Sequence, residues 1–221
     1  MTNTILNDSG QGNYVTNDSI FILDAFANKT TYELIGRMHN MIHNLPQTKI
    51  YSANKKITSP YNIDGLRNPV IDVYISSNGG DGDVLYNISC LLGVAKSRGA
   101  IIRTTVLSHA ASCGSLLAIQ GTPGFRIMYS KSVHFIHFGT HKINIRSESE
   151  IDIAAHNIKQ FSTAINNLYL THTKLTTDIL RRIQSNEQGY LDAQQSLQYG
   201  LCDWVIDECG NISKQINTKT R

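Results

Sequence analysis

Ser112 lies in a run of small residues, 110–114 (Ala-Ala-Ser-Cys-Gly), directly after the apolar run 101–107. This order is close to the G-x-S-x-G elbow, in which a serine on a sharp strand-to-helix turn holds its Oγ out of the sheet. Residues 116–119 (Leu-Leu-Ala-Ile) predict a helix, whose positive end would favour an oxyanion forming beside Ser112. The pattern indicates a nucleophilic serine. A second interpretation is that Ser112 simply caps the helix.

Two other stretches favour chemistry over capping. The apolar run 73–75 leads to the glycine pair Gly79-Gly80, whose backbone can approach a substrate closely. The run 133–136 is a short strand candidate that ends at His137. All three features fall at the ends of predicted strands, where α/β folds place their ligands. A serine, a histidine and a glycine pair in these positions predict a serine hydrolase.

The order of these motifs is similar to that of the proteolytic subunit of the Clp protease. Ser-x-x-Gly-Gly follows one strand, Ala-Ala-Ser-x-Gly follows the next, Ile-His ends a third, and Tyr-Leu and Tyr-Gly-Leu-x-Asp come last. The resemblance covers residues 19–207. It implies the α/β fold shared with the crotonases, a ββα superhelix with a protruding strand-helix handle. It also implies that Ser112 attacks a peptide carbonyl, His137 carries the proton, and the backbone N–H groups of Gly79 and Cys113 hold the oxyanion.

The third member of the triad is the point at which the chain departs from this family. Counting back from Tyr190, the family's aspartate position falls on Gln188. A glutamine carbonyl can fix the tautomer of His137, but it cannot stabilise an imidazolium as a carboxylate does. A shift of one residue would bring Glu187 into place. Otherwise Asn186 or Gln188 orients the histidine weakly, or the site is largely inert.

Other nucleophiles and bases near the elbow are less suitable. Cys113 is an alternative nucleophile, but its side chain should turn inward on the new helix. His109, His134 and His141 are rival bases. His109 precedes the elbow, and the alternation of side chains along a strand sends His134 to the face opposite His137. His137 is therefore the predicted base.

The composition limits the class of protein. The 221 residues, 41% of them hydrophobic, suit one α/β domain. A formal net charge of +3, without basic clusters interleaved with aromatic residues, argues against nucleic acid as a partner. The four cysteines form no C-x-x-C pair, which indicates free thiols in a reducing compartment. Since neither a signal peptide nor a long apolar span is present, we expect no membrane segment and a cytoplasmic or organelle-matrix location.

The chain divides into one folded domain and two polar ends. Residues 1–18 predict a flexible segment, which the resemblance implies lines the axial pore of a ring; a frayed terminus is the alternative. The domain 19–207 contains a surface insertion at 45–69, which is longer than the family's connection. Residues 208–221 form a polar tail. A long amphipathic helix, predicted from about 148 to 173, corresponds to the handle.

The resemblance also implies the assembly and its partners. It implies a homo-oligomer of heptameric rings stacked in pairs, which cleaves unfolded polypeptides delivered by a AAA+ Clp ATPase and needs no cofactor. No metal site is predicted, because His39 and His43 share a helix face without a third ligand nearby. Two other functions stay open. Gln188 favours an inactive structural paralogue, and the paired N–H groups also suit an acyl-CoA enzyme of the crotonase class.

Overall fold

The computed structural model describes residues 13–16, 18–26, 29–51, 57, 59–61, 63, 66–137, 147–185 and 189–214, without the side chains of residues 14, 29–31, 148 and 149. This part of the chain contains nine strands: β1 (Tyr14–Val15), β2 (Ser19–Ile22), β3 (Val70–Ser77), β4 (Ile101–Ala111), β5 (Arg126–Tyr129), β6 (Val133–Phe135), β7 (Tyr190–Asp192), β8 (Trp204–Ile206) and β9 (Ile212–Lys214). It also contains six helices: α1 (Lys29–His43), α2 (Gly82–Ser97), α3 (Cys113–Ile119), α4 (Glu148–His172), α5 (Thr177–Ser185) and α6 (Ala193–Tyr199).

The strands form one sheet with the order β1-β2-β3-β4-β5-β8-β9. The pairs from β2 to β8 are parallel, while β1 and β9 add antiparallel strands at the two edges. A parallel sheet must be covered on both faces. Accordingly, β4 is buried at both faces along its first half, where only Arg103 of the first six residues is not fully buried. The predicted α/β fold class is confirmed.

Strand β4 is the element that positions the site. Residues 104–106 of β4 pair with β5, whereas residues 109–111 pair with β6. Strands β5 and β6 therefore pair with successive segments on the same side of β4. Strand β6 also pairs with β7, in antiparallel orientation. The sheet opens where β4 ends. Openings of this kind, beyond the carboxyl ends of parallel strands, are where α/β sheets bind ligands.

The helices follow the sequence signals closely. Asp81 caps α2, since its carboxylate accepts a hydrogen bond from the Asp83 N–H at 2.8 Å. Asp192 and Gln195 form a reciprocal capping box at the start of α6. The long helix predicted from about 148 to 173 is present as α4, with 25 residues. In the described ranges, no helix combines the length and the hydropathy needed to span a membrane.

The insertion at 45–69 is fastened to the domain at both ends. The Thr48 N–H donates to the carbonyl of Arg98 at 2.9 Å, and the Asn68 amide donates to the carbonyl of Gly99 at 2.7 Å. Ile57 packs against the small cluster of Ile127, Trp204 and Ile206. The Pro60 carbonyl accepts a hydrogen bond from Arg103 of β4 at 3.1 Å, so the described residues of the insertion lie across β4, β5 and β8.

Both ends of the sheet extend beyond the predicted domain limits. Strand β1 lies within the segment 1–18 that was predicted to be flexible, and the buried Asn13 side chain donates to the carbonyl of Ala25 at 3.1 Å. Strand β9 lies within the predicted polar tail and pairs with β8. These two strands have only two and three residues, which is too short for an alternating pattern to predict them. The four cysteines are free thiols, as predicted.

Candidate active site

Ser112 joins β4 to α3 in a strained backbone conformation. Its φ is 52° and its ψ is −119°. In the part of the chain that the structure describes, it is the one residue other than glycine with a positive φ. Such a conformation costs on the order of 1–3 kcal/mol, and residues that hold it cluster at functional sites. The strand-to-helix turn predicted from the small neighbouring residues is present.

The interpretation of Ser112 as a simple helix cap is wrong. Ser112 occupies the N-cap position of α3, but its side chain makes no capping hydrogen bond. Its backbone N–H instead donates to the carbonyl of Phe135 at 2.9 Å. The elbow is therefore tied to the end of β6, two residues before His137.

Gly79 lies directly against the elbow. A Cβ atom placed on Gly79 would stand 2.7 Å from both the Ala111 carbonyl oxygen and the Ser112 Cβ, and 2.9 Å from the Cys113 nitrogen. The φ of Gly79 is 92°, a value that side chains with a Cβ rarely adopt. Only glycine permits this approach. The two predicted oxyanion donors, Gly79 and Cys113, are thus neighbours in space.

The hydrogen bonding of these two N–H groups differs. Cys113 is the first residue of α3, so its N–H has no acceptor within the helix. The Gly79 N–H donates to Ser77 Oγ at 3.1 Å, and Ser77 Oγ donates to the carbonyl of Asp24 at 2.7 Å. The role of Ser77 was missed. A serine two residues before the N–H it binds is a common turn pattern, and it is visible in the sequence.

The Cys113 thiol is held away from the nucleophile's role. Cys113 is 5% exposed, and its Sγ donates to the carbonyl of Gly80 at 3.2 Å. Burial raises the pKa of this thiol, which keeps it protonated at neutral pH. The thiolate is the nucleophilic form of cysteine. A thiol that stays protonated and points inward, as expected for Cys113, is therefore disfavoured as the attacking group.

His137 follows β6 and is half-buried. Its ring stacks on Phe135 with centroids 5.2 Å apart, and Phe135 in turn packs on Tyr190 with centroids 4.4 Å apart. This aromatic stack orients the imidazole from one side. It was not predicted, although residues two apart on a strand share a face and the sequence 133–138 alternates accordingly.

No hydrogen bond between described residues joins Ser112 Oγ to His137. The structure does contain an exposed serine–histidine contact close by, between Ser108 Oγ and His109 Nδ1 at 2.9 Å. This pair lies on β4 before the elbow, and none of the glycines that the structure describes is packed against it as Gly79 is against Ser112. It therefore lacks the donors that an acyl transfer needs.

The rival base His134 is fully buried. It is 0% exposed, and its Nδ1 lies 2.8 Å from Ser115 Oγ. Burial, followed by the charge of Arg126, lowers its pKa to about 3, so the ring is neutral at physiological pH. His134 faces away from His137, as the strand alternation predicted. The third rival, His141, lies outside the described residues.

The candidates for the third triad member, Glu187 and Gln188, also lie outside the described residues. The chain becomes described again at Gly189, whose carbonyl accepts a hydrogen bond from the Ile136 N–H at 2.8 Å. This bond adds one more step to the antiparallel pairing of β6 with β7. Gly189 is therefore fixed beside the residue that precedes the predicted base.

The histidine pair on α1 gains no further ligand. His39 and His43 have parallel rings with centroids 6.1 Å apart. Within the described ranges, no group of three His, Cys, Asp or Glu side chains is arranged to hold a metal ion. Geometry therefore gives no support to a metal site on this helix.

Comparison with known protein families identifies the chain's relatives. The family model described as Clp protease matches residues 63–209, well over half of the chain. The chain belongs to the Clp protease family. The matched range contains every predicted site residue, from Gly79 to Gln188. It begins near the end of the 45–69 insertion, so β1, β2, α1 and most of the insertion lie before the Clp protease match.

The chain is similar to several curated proteolytic subunits of the Clp protease family. It is 28% identical to the ATP-dependent Clp protease proteolytic subunit 1 of Corynebacterium glutamicum over 137 residues, which span 62% of this chain and 64% of that protein. It is 28% identical to subunit 1 of Corynebacterium diphtheriae, over 71% of this chain and 73% of that protein. Subunit 4 of Streptomyces avermitilis is 28% identical over 62% of this chain and 58% of its own length. The chain thus spans less than two thirds of the first and third of these relatives.

Proposed function

We propose that the chain is a serine endopeptidase subunit of Clp type, with Ser112 as its nucleophile and His137 as its general base. The observation that carries the proposal is the strained elbow. Ser112 has a φ of 52°, is packed against Gly79, and lies between the end of β4, where β4 pairs with β6, and the buried helix α3. Membership in the Clp protease family supports a peptide bond as the target.

The reaction follows from the positions of these groups. Ser112 Oγ attacks the peptide carbonyl and His137 accepts its proton, which gives a tetrahedral oxyanion. The C–N bond then breaks as His137 returns the proton to the leaving amine, and water hydrolyses the acyl-enzyme by the same steps. Catalytic hydrogen bonds in a free enzyme are often long and tighten when substrate binds. We infer that the Ser112–His137 contact forms in this way.

The oxyanion would be held by the N–H groups of Cys113 and Gly79. The N–H of Cys113 points from the first turn of α3, where the helix end adds a partial positive charge. The N–H of Gly79 would have to exchange Ser77 Oγ for the oxyanion, or be shared between them. A donor used only when negative charge develops favours the transition state over the ground state.

The third triad member can be assigned by a pair of substitutions at neighbouring positions. If Glu187 supplies the carboxylate, Glu187→Gln should lower kcat at least about 100-fold, because the imidazolium loses its counter-charge. Gln188→Ala should then change kcat less than about threefold. The reverse pattern would assign Gln188 as a neutral orienting group. Full activity in both variants would contradict both assignments, provided that sedimentation shows the same assembly as the wild type.

We further infer that the subunit works as a homo-oligomeric ring supplied with unfolded polypeptide by a AAA+ ATPase. Helix α4 supports the assembly, because Ile151 is 48% exposed and Ile158, seven residues further along the same helix face, is only partly buried; such an apolar face favours a partner surface. The family supports the ATPase and the stacked heptamers. Residues 1–18 would line the axial pore, with β1 as their anchor on the sheet. The free thiols support the cytoplasm as the compartment.

A fluorophosphonate probe tests the proposal directly, since it reacts with activated serines. The expected result is one adduct per subunit, on Ser112, with Ser108 and Ser115 unmodified by mass spectrometry. Prior incubation with a peptide aldehyde should block the labelling. A correctly assembled ring in which Ser112 stays unlabelled would overturn the proposal. It would favour the second candidate, an inactive structural paralogue, which the glutamine at position 188 also favours.

A further inference from the structure

A buried hydrogen-bond chain lies behind the elbow and belongs to none of the groups described so far as catalytic. The Tyr169 hydroxyl donates to Ser115 Oγ at 3.0 Å, and Ser115 Oγ lies 2.8 Å from His134 Nδ1. All three side chains are at most 1% exposed. These hydrogen bonds therefore join three elements, α4, α3 and β6, without contact with solvent.

The donor and the acceptor of each of these hydrogen bonds follow from the number of protons that each group carries. Because Ser115 Oγ accepts a hydrogen bond from the Tyr169 hydroxyl, its own O–H is available to donate to His134 Nδ1. The neutral ring of His134 then carries its single proton on Nε2. In the described part of the chain, His134 Nε2 has no hydrogen-bond partner. A buried donor without an acceptor costs free energy, which an aliphatic side chain at this strand position would avoid.

The position of these hydrogen bonds suggests what offsets the free-energy cost of the unpaired His134 donor. Ser115 lies three residues after the proposed nucleophile, Ser112, and His134 lies three residues before the proposed base, His137. The hydrogen bond between Ser115 and His134 therefore spans the two elements that must bring the reacting groups together. Tyr169 fixes the rotamer of Ser115 from α4. Hydrogen bonds depend steeply on distance and direction, so the two bonds to Ser115 define the separation of the packed elements more sharply than apolar packing does.

We propose that Ser115, His134 and Tyr169 are positioning residues, which hold α3 and β6 at the separation from which Ser112 Oγ can reach His137. The inference rests on the proposed function, because it assigns these residues to that reaction. None of the three contacts substrate, since all are buried. Their effect is on the alignment of the nucleophile and its base. A displacement of about 1 Å between reacting groups can lower a rate on the order of 100-fold.

Two substitutions that remove single hydroxyl groups test the inference. Tyr169→Phe and Ser115→Ala should each lower kcat for a small fluorogenic peptide about 10- to 100-fold and leave KM within about twofold. The double variant should be no slower than Ser115→Ala alone, because Tyr169 acts only through Ser115. Matched controls are Tyr199→Phe on α6 and Ser132→Ala before β6. Ser132 is a buried serine whose Oγ donates to the carbonyl of Tyr129, and both controls should keep the wild-type kcat.

A purely structural role predicts a different pattern. It would lower the melting temperature of Ser115→Ala and Ser132→Ala alike, and kcat per labelled active site would stay constant. That result would overturn the inference, as would additive losses in the double variant. Hydrogen exchange followed by mass spectrometry supplies a readout that does not need activity. Tyr169→Phe should speed exchange in both segments 110–117 and 133–137, whereas Tyr199→Phe should not.

This readout separates failure of the inference from failure of the proposed function. If the wild-type ring neither labels at Ser112 nor cleaves peptides, the proposed function fails, and hydrogen exchange alone decides the coupling of α3 to β6. If the wild type is active and neither kcat nor exchange responds to Tyr169→Phe, the inference fails while the proposed function stands.

Discussion

Ser112→Ala is expected to lower peptide hydrolysis at least about 1,000-fold while leaving the fold and the assembly intact. Removal of the nucleophile from a serine protease eliminates the covalent route, and only transition-state binding by the remaining groups persists. The Oγ of Ser112 makes no capping hydrogen bond, so its loss removes no cap from α3. Hydrolysis of a fluorogenic peptide, with sedimentation to compare the assembly of the variant with that of the wild type, measures both expectations.

Ser108→Ala is the matched control for this experiment. Ser108 lies on the strand that leads to the elbow and contacts a histidine at 2.9 Å, which makes it the rival that substrate could reach, unlike the buried pair of Ser115 and His134. It is exposed, its backbone is extended, and no described glycine contacts it as Gly79 contacts the elbow. We expect Ser108→Ala to keep wild-type activity. Activity that survives Ser112→Ala but disappears in Ser108→Ala would move the site to the Ser108–His109 pair.

The choice between these serines shows what sequence alone could decide. The small residues around Ser112 predicted a sharp turn, and the strand ends predicted where the reactive groups would gather. Both follow from local signals, because a turn needs small neighbours and strands alternate in burial. Along β4, however, the predicted strand 101–107 continues to residue 111. Those last residues pair with β6, a partner chosen by tertiary structure and invisible to local patterns.

Contacts between distant segments account for most of what the sequence did not predict. The bond from Ser115 to His134 joins residues 19 apart, and the bond from Tyr169 to Ser115 joins residues 54 apart. No periodicity encodes such pairs. The strand alternation placed His134 on the correct face but gave no partner for it. Likewise, β9 has only the three residues Ile-Ser-Lys and forms a strand by pairing with β8.

Gly79→Ala is expected to have the second largest effect, through the oxyanion hole that we propose. The added Cβ would stand 2.7 Å from the Ala111 carbonyl oxygen and from the Ser112 Cβ, so either the glycine loop or the elbow must move. A φ of 92° adds strain for any residue with a Cβ. We expect kcat/KM to fall at least about 100-fold, the cost typical of losing one oxyanion donor. The free energy of unfolding should fall by about 1–3 kcal/mol.

Gly93→Ala separates the catalytic effect from the general effect of adding a methyl group. Gly93 lies on α2, and a Cβ there would have no heavy atom within 4 Å. This variant should keep its activity and gain about 0.5–1 kcal/mol of stability, because alanine loses less backbone entropy than glycine in a helix. In Gly79→Ala, the loss of catalytic rate can be separated from the loss of folded protein by titrating the active sites with the fluorophosphonate. If folded, labelled Gly79→Ala turns over at the wild-type rate, the Gly79 N–H bound to Ser77 is a structural contact, and the oxyanion must be stabilised from α3 alone.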